Sequence, residues 1–87
     1  MLDDDRKKEE IKEDLERANE LTDAAEDLYA QFNFKKAKDY FNQGLEILMS
    51  IKKRTKDDKK FNKKMRKRIE EILTRAETCK KQIKMAK

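Results

Sequence analysis

Apolar residues recur at intervals of three and four along most of the chain, and this spacing constrains the fold more than any other feature of the sequence. In residues 24–48 they lie on two segments that meet at Asn33, a residue suited to a turn or to the cap of a helix. The helical period predicts two amphipathic helices packed as an antiparallel hairpin. We expect the small residues Ala37 and Gly44 to let a neighbouring helix approach closely.

The same spacing continues beyond the hairpin and predicts three helices. We expect them over about residues 5–31, 34–53 and 58–85, with Asp57 or Asp58 capping the third. The chain has no proline and a single glycine, so little in the sequence interrupts long helices. The predicted fold class is all-α, an antiparallel three-helix bundle with up-down-up connections.

One stripe of apolar residues on each helix is expected to face the core. The stripes are Ile11, Leu15, Ala18, Leu21, Ala25, Leu28 and Phe32, then Phe34, Ala37, Phe41, Gly44, Leu48 and Ile51, then Phe61, Met65, Ile69, Ile72, Ala76, Cys79 and Ile83. Because the only cysteine lies on the third stripe, it is interpreted as a small core residue and not as a reactive thiol.

Length and charge indicate a single domain with an uneven charge distribution. We assign residues 10–87 to the bundle and residues 1–9 to a charged N-terminal extension of the first helix. The net charge is −7 in residues 1–30, +4 in residues 31–54 and +8 in residues 55–87. Two interpretations stay open: the helices attract each other within the bundle, or the basic part binds an acidic partner or nucleic acid.

The sequence offers nothing on which catalysis could rest. Histidine is absent, which removes the commonest general base and metal ligand. No glycine-rich phosphate loop and no metal-ligand spacing occurs, so we expect no enzyme activity, cofactor, metal or small-molecule substrate. No apolar run approaches the length of a membrane span, which predicts a soluble protein of the cytoplasm.

Two other functions are less consistent with the sequence. The basic run of residues 52–68 is a candidate for binding microtubules or nucleic acid, but it has no aromatic residue besides Phe61 and no motif that reads bases. We therefore expect no specific nucleic-acid partner. A tetratricopeptide-like fragment would need a second hairpin with a period of about 34 residues, and none repeats.

Two motifs in order give the chain a family resemblance. The pattern F-x-x-A-x-x-x-F-x-x-G-L-E-x-L spans residues 34–48, and after a basic loop residues 72–80 read ILTRAETCK. Together they resemble the MIT domain, the microtubule-interacting and trafficking module, over residues 15–85. The resemblance implies an asymmetric three-helix bundle that binds C-terminal tails of ESCRT-III subunits in endosomal sorting. It further implies a monomeric, non-catalytic adaptor that its partners recruit from the cytoplasm to endosomal membranes.

The resemblance also implies two binding grooves. Type-1 motifs of ESCRT-III tails lie as a helix between the second and third helices, and type-2 motifs lie extended between the first and third. The residues one position after the inward-facing ones are expected to line this groove. On this basis the type-1 groove has an apolar floor, an acidic residue that can pair with a basic residue of the ligand, and flanking lysines. The expected peptide-binding residues are Leu45, Met49, Leu73, Glu77, Lys80 and Lys52.

The type-2 groove is expected to be poorer, so type-1 binding is favoured. Its residues would be Asn19, Thr22, Glu26 and Tyr29 opposite Arg68, Glu71, Arg75, Thr78 and Gln82. Thr22 stands where the family tends to have an aliphatic anchor. Another departure is Thr74, where relatives often carry an acidic or amide residue, and this weakens the expected grip on the basic residue of the ligand. Two alternatives remain: the apolar residues of the type-1 groove merely flank the core, or Glu77 forms a surface salt bridge with Lys80 or Lys81.

Overall fold

Three helices joined by two short turns make up the described chain. A computed structural model gives the backbone of residues 2–85 and the side chains of residues 8–85. The helices are α1 (Leu2–Ala30), α2 (Phe34–Arg54) and α3 (Lys59–Met85), and every boundary lies within three residues of its prediction. The predicted three-helix bundle is therefore confirmed. Most side chains of the expected N-terminal extension, residues 1–9, lie outside the described residues.

Helix α2 lies between the other two and makes most of the interhelical contacts, whereas α1 and α3 approach each other at few positions. Its last residue, Arg54, pairs with Asp14 in the first half of α1, as antiparallel packing requires. The core contains residues from all three predicted stripes, with Leu45 as the one addition. Its buried apolar residues are Ala18, Ala25, Ala37, Phe41, Leu45, Leu48, Ile51, Met65, Ile69, Ile72, Ala76 and Cys79.

Thr22 is buried where α1 meets α2, beside Gly44. Its hydroxyl donates a hydrogen bond to the carbonyl oxygen of Asn19 (3.1 Å) and accepts one from Nη2 of Arg68 (3.3 Å). Both polar needs of this interior side chain are thus met. The prediction that Thr22 furnishes a groove surface is wrong, because Gly44 has no side chain and α1 approaches α2 closely enough to enclose the threonine.

The turn between α1 and α2 ends the first helix in a Schellman motif. The amide of Asn33 donates to the carbonyl of Leu28 (2.9 Å), and the amide of Phe32 donates to that of Tyr29 (3.0 Å). Phe32 occupies the left-handed position of this motif, with φ of 63°. Its side chain is 78% exposed, so the prediction that it faces the core is wrong. Helical spacing no longer applies to a residue that follows the end of the helix.

The turn between α2 and α3 is held at both ends by side chains. Oδ1 of Asp58 accepts a hydrogen bond from the amide of Phe61 (3.1 Å), which confirms the predicted cap of α3. The hydroxyl of Thr55 donates to the carbonyl of Ile51 (2.8 Å). Nδ2 of Asn62 donates to the carbonyl of Lys52 (2.9 Å) and so ties the start of α3 to the end of α2.

The first half of α1 also packs on the bundle. Ile11 and Leu15 are half-buried and, together with Phe61 of α3, line a surface cavity of about 390 Å³. Further along, Nε of Arg75 lies 3.3 Å from Oε1 of Glu26 and joins α3 to α1. Ion pairs between helices of opposite charge support the interpretation that the uneven charge helps to hold the bundle together.

Candidate functional site

Two half-exposed apolar side chains are the candidate binding residues of the surface between α2 and α3. Met49 of α2 is 43% exposed and Leu73 of α3 is 38% exposed, whereas Leu45 is only 5% exposed. Met49 follows Leu45 by one helical turn, and Leu73 follows the buried Ile69 by one turn, so each pair shares a helix face. Leu45 and Ile69 therefore belong to the core beneath this surface, from which Met49 and Leu73 protrude.

A cavity of about 410 Å³ extends this surface toward the turn between α2 and α3. Apolar side chains and lysines surround it. They are Met49, Lys52, Lys53, Lys56, Asn62 and Ile69. Of the predicted site residues, Met49 and Lys52 lie here. Lys53, Lys56 and Asn62 were not predicted, although in an antiparallel hairpin with a short turn the end of α2 must lie beside the start of α3.

Glu77 and Lys80 lie further along α3 than Leu73 and are both exposed. Glu77 follows Leu73 by one helical turn, so its carboxylate is on the same face. Among the ion pairs of side chains 8–85 none involves Glu77, so the alternative salt bridge with Lys80 or Lys81 is not present there. We use the term α2/α3 groove for the predicted binding surface of Met49, Lys52, Leu73, Glu77 and Lys80, beneath which the predicted residue Leu45 lies in the core.

A second, more polar cleft lies between α1 and α3, with a volume of about 520 Å³. It contains six of the residues that the sequence placed in the type-2 groove. They are Glu26, Tyr29, Arg68, Glu71, Arg75 and Thr78, and the cleft is completed by Ile72 and Thr74. Thr74 lines this cleft, and its hydroxyl donates to the carbonyl of Glu70 (2.9 Å). The departure from the family pattern at Thr74 thus concerns this cleft.

Side chains of the protein itself bridge the cleft between α1 and α3. Arg75 pairs with Glu26, and its guanidinium lies 5.8 Å from the centroid of the Tyr29 ring. Arg68 reaches the hydroxyl of Thr22 and lies 3.7 Å from Glu71. A ligand that entered here would have to displace these contacts, whereas Met49 and Leu73 already face solvent.

The structure places no reactive group at either surface. Cys79 is buried, and this burial raises the pKa of its thiol, which favours the unreactive protonated form. Among the described residues, no group of His, Cys, Asp or Glu side chains is arranged to hold a metal ion. Within the same part of the chain, no helix has the length and apolar character needed to cross a membrane.

A family model for the MIT (microtubule interacting and transport) domain matches residues 15–81. The match covers all of α2, most of α1 and α3, and every residue of the α2/α3 groove. The chain therefore belongs to the MIT family, whose members are protein-interaction modules and not enzymes. No curated protein and no solved structure matches the chain significantly.

Proposed function

We propose that this MIT domain binds the C-terminal tails of ESCRT-III subunits, taken up as a type-1 helix in the α2/α3 groove. The observation that carries this proposal is the exposure of Met49 and Leu73 on a chain in which 49% of the residues are charged. They lie on neighbouring antiparallel helices, and Met49 is one helical turn from the buried Leu45. Such a furrow suits an amphipathic helix, whose apolar side chains are spaced by one turn.

Charge supports a definite orientation of side chains in the ligand. The carboxylate of Glu77 is available for a basic residue of the tail, which would fix the register of the bound helix. At the other end of the groove, Lys52, Lys53 and Lys56 surround the cavity beside Met49 and favour acidic ligand residues. The small apolar area suggests weak binding, in the micromolar range.

Type-2 binding is the less favoured mode, because Arg75 and its partners Glu26 and Tyr29 already occupy the space between α1 and α3. In our proposal the domain is a monomer in the cytoplasm. It reaches endosomal membranes when its ESCRT-III partner assembles there, and the basic run of residues 52–68 makes microtubules a second candidate partner. Any catalytic activity would belong to other parts of a larger protein.

Two adjacent positions on α3 provide a matched test of the groove. Leu73→Asp places a carboxylate in the α2/α3 groove, and Thr74→Asp places the same group in the cleft between α1 and α3; both sites are exposed. In fluorescence-polarisation titrations with labelled type-1 tail peptides, we expect Leu73→Asp to weaken binding by about tenfold or more, as the loss of a central anchor should. Thr74→Asp should leave the Kd within about twofold of the parent value.

The reverse ranking of these two variants would assign the ligand to the cleft between α1 and α3. A parent domain that binds neither type-1 nor type-2 peptides would refute the proposal as a whole. Circular dichroism of both variants establishes that each is folded. For Glu77→Lys, we expect weaker binding of a tail that carries arginine at the facing position, and recovery with a tail that carries glutamate there.

The salt dependence of peptide binding distinguishes binding in the groove from electrostatic attraction to the basic run. Binding that depended on the lysines of residues 52–68 would collapse between 50 and 200 mM salt, as counterion release predicts for roughly six or more contacts to a polyanion. Groove binding through apolar anchors and one ion pair should weaken only a few-fold over the same range. A collapse with salt of tail binding would favour the basic run as the binding surface.

A further inference from the structure

One end of the bundle combines exposed apolar side chains with a high density of lysines. This end holds the turn between α1 and α2 and the last turn of α3, and we call residues 31–38 and 78–85 the basic end. Large apolar side chains that are exposed among residues 8–85 occur in two places. Met49 and Leu73 lie in the α2/α3 groove, whereas Phe32 and Met85, each 78% exposed, lie at the basic end.

The backbone of the turn directs Phe32 outward. Two hydrogen bonds of the Schellman motif fix the residue at φ of 63°, a conformation that costs a non-glycine residue free energy. The ring then lies edge-on to Phe34, with centroids 6.0 Å apart, and Phe34 lies edge-on to Tyr29 at 5.5 Å. The ring of Phe32 therefore packs on other aromatic rings, which hold it in a defined, exposed position.

The charge around these apolar residues has one sign. Residues 31–38 and 78–85 contain six lysines and no acidic residue: Lys35, Lys36, Lys38, Lys80, Lys81 and Lys84. Acidic side chains begin further from the tip on each helix, at Asp27, Asp39 and Glu77. An electropositive tip with a protruding aromatic ring is thus separate from the mixed charge of the bundle's sides.

We propose that the basic end docks on the surface of an anionic lipid bilayer. Phe32 and Met85 would enter the boundary between headgroups and acyl chains, and the lysines around them would contact lipid phosphates and carboxylates. Binding of this kind gains from the buried apolar area and from attraction to anionic lipid together. A fluid bilayer suits this end because its apolar residues protrude and can be surrounded by lipid without a preformed pocket.

This contact leaves the part of the α2/α3 groove around Met49 free for a ligand, and Lys80 is the one residue that belongs to both surfaces. The described chain measures 54 × 19 × 15 Å. Because the three helices are antiparallel, the turn between α1 and α2 and the last turn of α3 lie at the same end of the bundle. Met49 and its cavity lie beside the turn between α2 and α3, at the opposite end. A domain that stands on the bilayer through its basic end keeps that part of the groove away from the lipid.

Vesicle flotation with the 87-residue chain tests the proposal. Vesicles of phosphatidylcholine alone are compared with vesicles that also contain phosphatidylserine, at a fixed salt concentration. We expect binding to the anionic vesicles only. Phe32→Gly should reduce the bound fraction several-fold, and Lys35→Gln with Lys36→Gln should weaken binding by roughly fivefold for each lysine removed.

Matched controls lie elsewhere on the same chain. Lys59→Gln with Lys60→Gln removes two exposed lysines at the opposite end, and Leu73→Ala removes an exposed apolar side chain in the groove. We expect both variants to bind the anionic vesicles as the parent does. Equal losses at Lys59 and Lys60 would indicate attraction through overall charge and overturn the proposal.

Three further results would also overturn it: no binding of the parent chain to anionic vesicles, parent-like binding by Phe32→Gly, or a lipid-free dimer in sedimentation velocity that Phe32→Gly abolishes. The last result would identify a second copy of the chain as the occupant of this surface. Phe32→Gly suits a residue in the left-handed region, so loss of folding is not expected to obscure the result.

Discussion

Gly44 of α2 packs so closely against Thr22 of α1 that no space remains for a side chain on the glycine. A Cβ atom placed on Gly44 would lie 2.8 Å from Cγ2 of Thr22 and 3.5 Å from the carbonyl oxygen of Ala18. Thr22 cannot easily move away, because it is β-branched, 1% exposed and hydrogen-bonded to Asn19. The single glycine of the chain therefore sets the distance between these two helices.

Gly44→Ala should destabilise the domain even though alanine is the better helix former. The gain in helix propensity is about 1 kcal/mol, whereas forced overpacking typically costs about 1–3 kcal/mol. We expect a net loss of about 1 kcal/mol in the free energy of unfolding, measured by urea denaturation followed by circular dichroism. Thr22→Ser removes Cγ2 and keeps the hydroxyl, so it should rescue Gly44→Ala. A Gly44→Ala variant more stable than the parent would contradict the close contact.

Helix boundaries could be predicted from the sequence because they depend on local properties. Apolar spacing defines the stripes, and the capping residue Asp58 precedes the third helix where it was expected. Two errors have physical causes that local spacing does not contain. Phe32 follows the end of α1, where a left-handed residue redirects the chain. Thr22 is enclosed because Gly44 of another helix packs against it, and the spacing of residues within one helix does not reveal such a contact between two helices.

The candidate grooves were predicted in part for the same reason. Neighbouring faces of antiparallel helices follow from the helical period, so the residues between α1 and α3 do come together. The helical period does not predict how deeply each side chain is buried, because burial depends on how closely the helices approach each other. Leu45 was expected on the groove floor and is almost fully buried, and Lys53 and Lys56 beside the cavity were not expected.

The two turns should respond differently to loss of their capping residues. Asp58→Ala removes the carboxylate that accepts the amide of Phe61, and we expect a loss of about 1 kcal/mol in the free energy of unfolding. Asn33 precedes α2 but makes no side-chain capping bond, so Asn33→Ala should cost clearly less. Urea denaturation of both variants gives the comparison. A larger loss at Asn33 would show that its side chain caps α2 in solution.

Phe32 allows backbone strain to be separated from side-chain contacts. Phe32→Gly and Phe32→Ala both remove the ring and its contact with Phe34, but only glycine adopts the left-handed conformation without a steric penalty. We expect the glycine variant to be more stable than the alanine variant by about 1 kcal/mol in thermal or urea denaturation. Equal stabilities would mean that the turn does not keep φ positive at this residue.

Cys79 should make the stability of the domain depend on alkaline pH. Burial raises the pKa of its thiol above the ordinary value of 9.0, so above that pH the unfolded chain loses the proton while the folded chain keeps it. The stabilising contribution is therefore complete below pH 9.0 and decreases as the pH rises through the folded pKa. Cys79→Ala lacks this dependence, so the difference in unfolding free energy between parent and variant should shrink as the pH rises. A constant difference between pH 7 and 10 would contradict this prediction.

Leu45 and Met49 distinguish the core of the domain from its binding surface. Leu45 is 5% exposed, so Leu45→Ala leaves a cavity and should cost about 2–4 kcal/mol of unfolding free energy. Met49 is 43% exposed, so Met49→Ala should cost less than about 1 kcal/mol while it weakens tail binding. Urea denaturation and peptide titration of the two variants measure both quantities. If Leu45→Ala remained as stable as the parent and lost tail binding, Leu45 would be a direct ligand contact, and the groove would have to open further on binding than its unliganded form. If Met49→Ala kept parent-like binding, the ligand would have to lie away from the cavity between Met49 and Ile69.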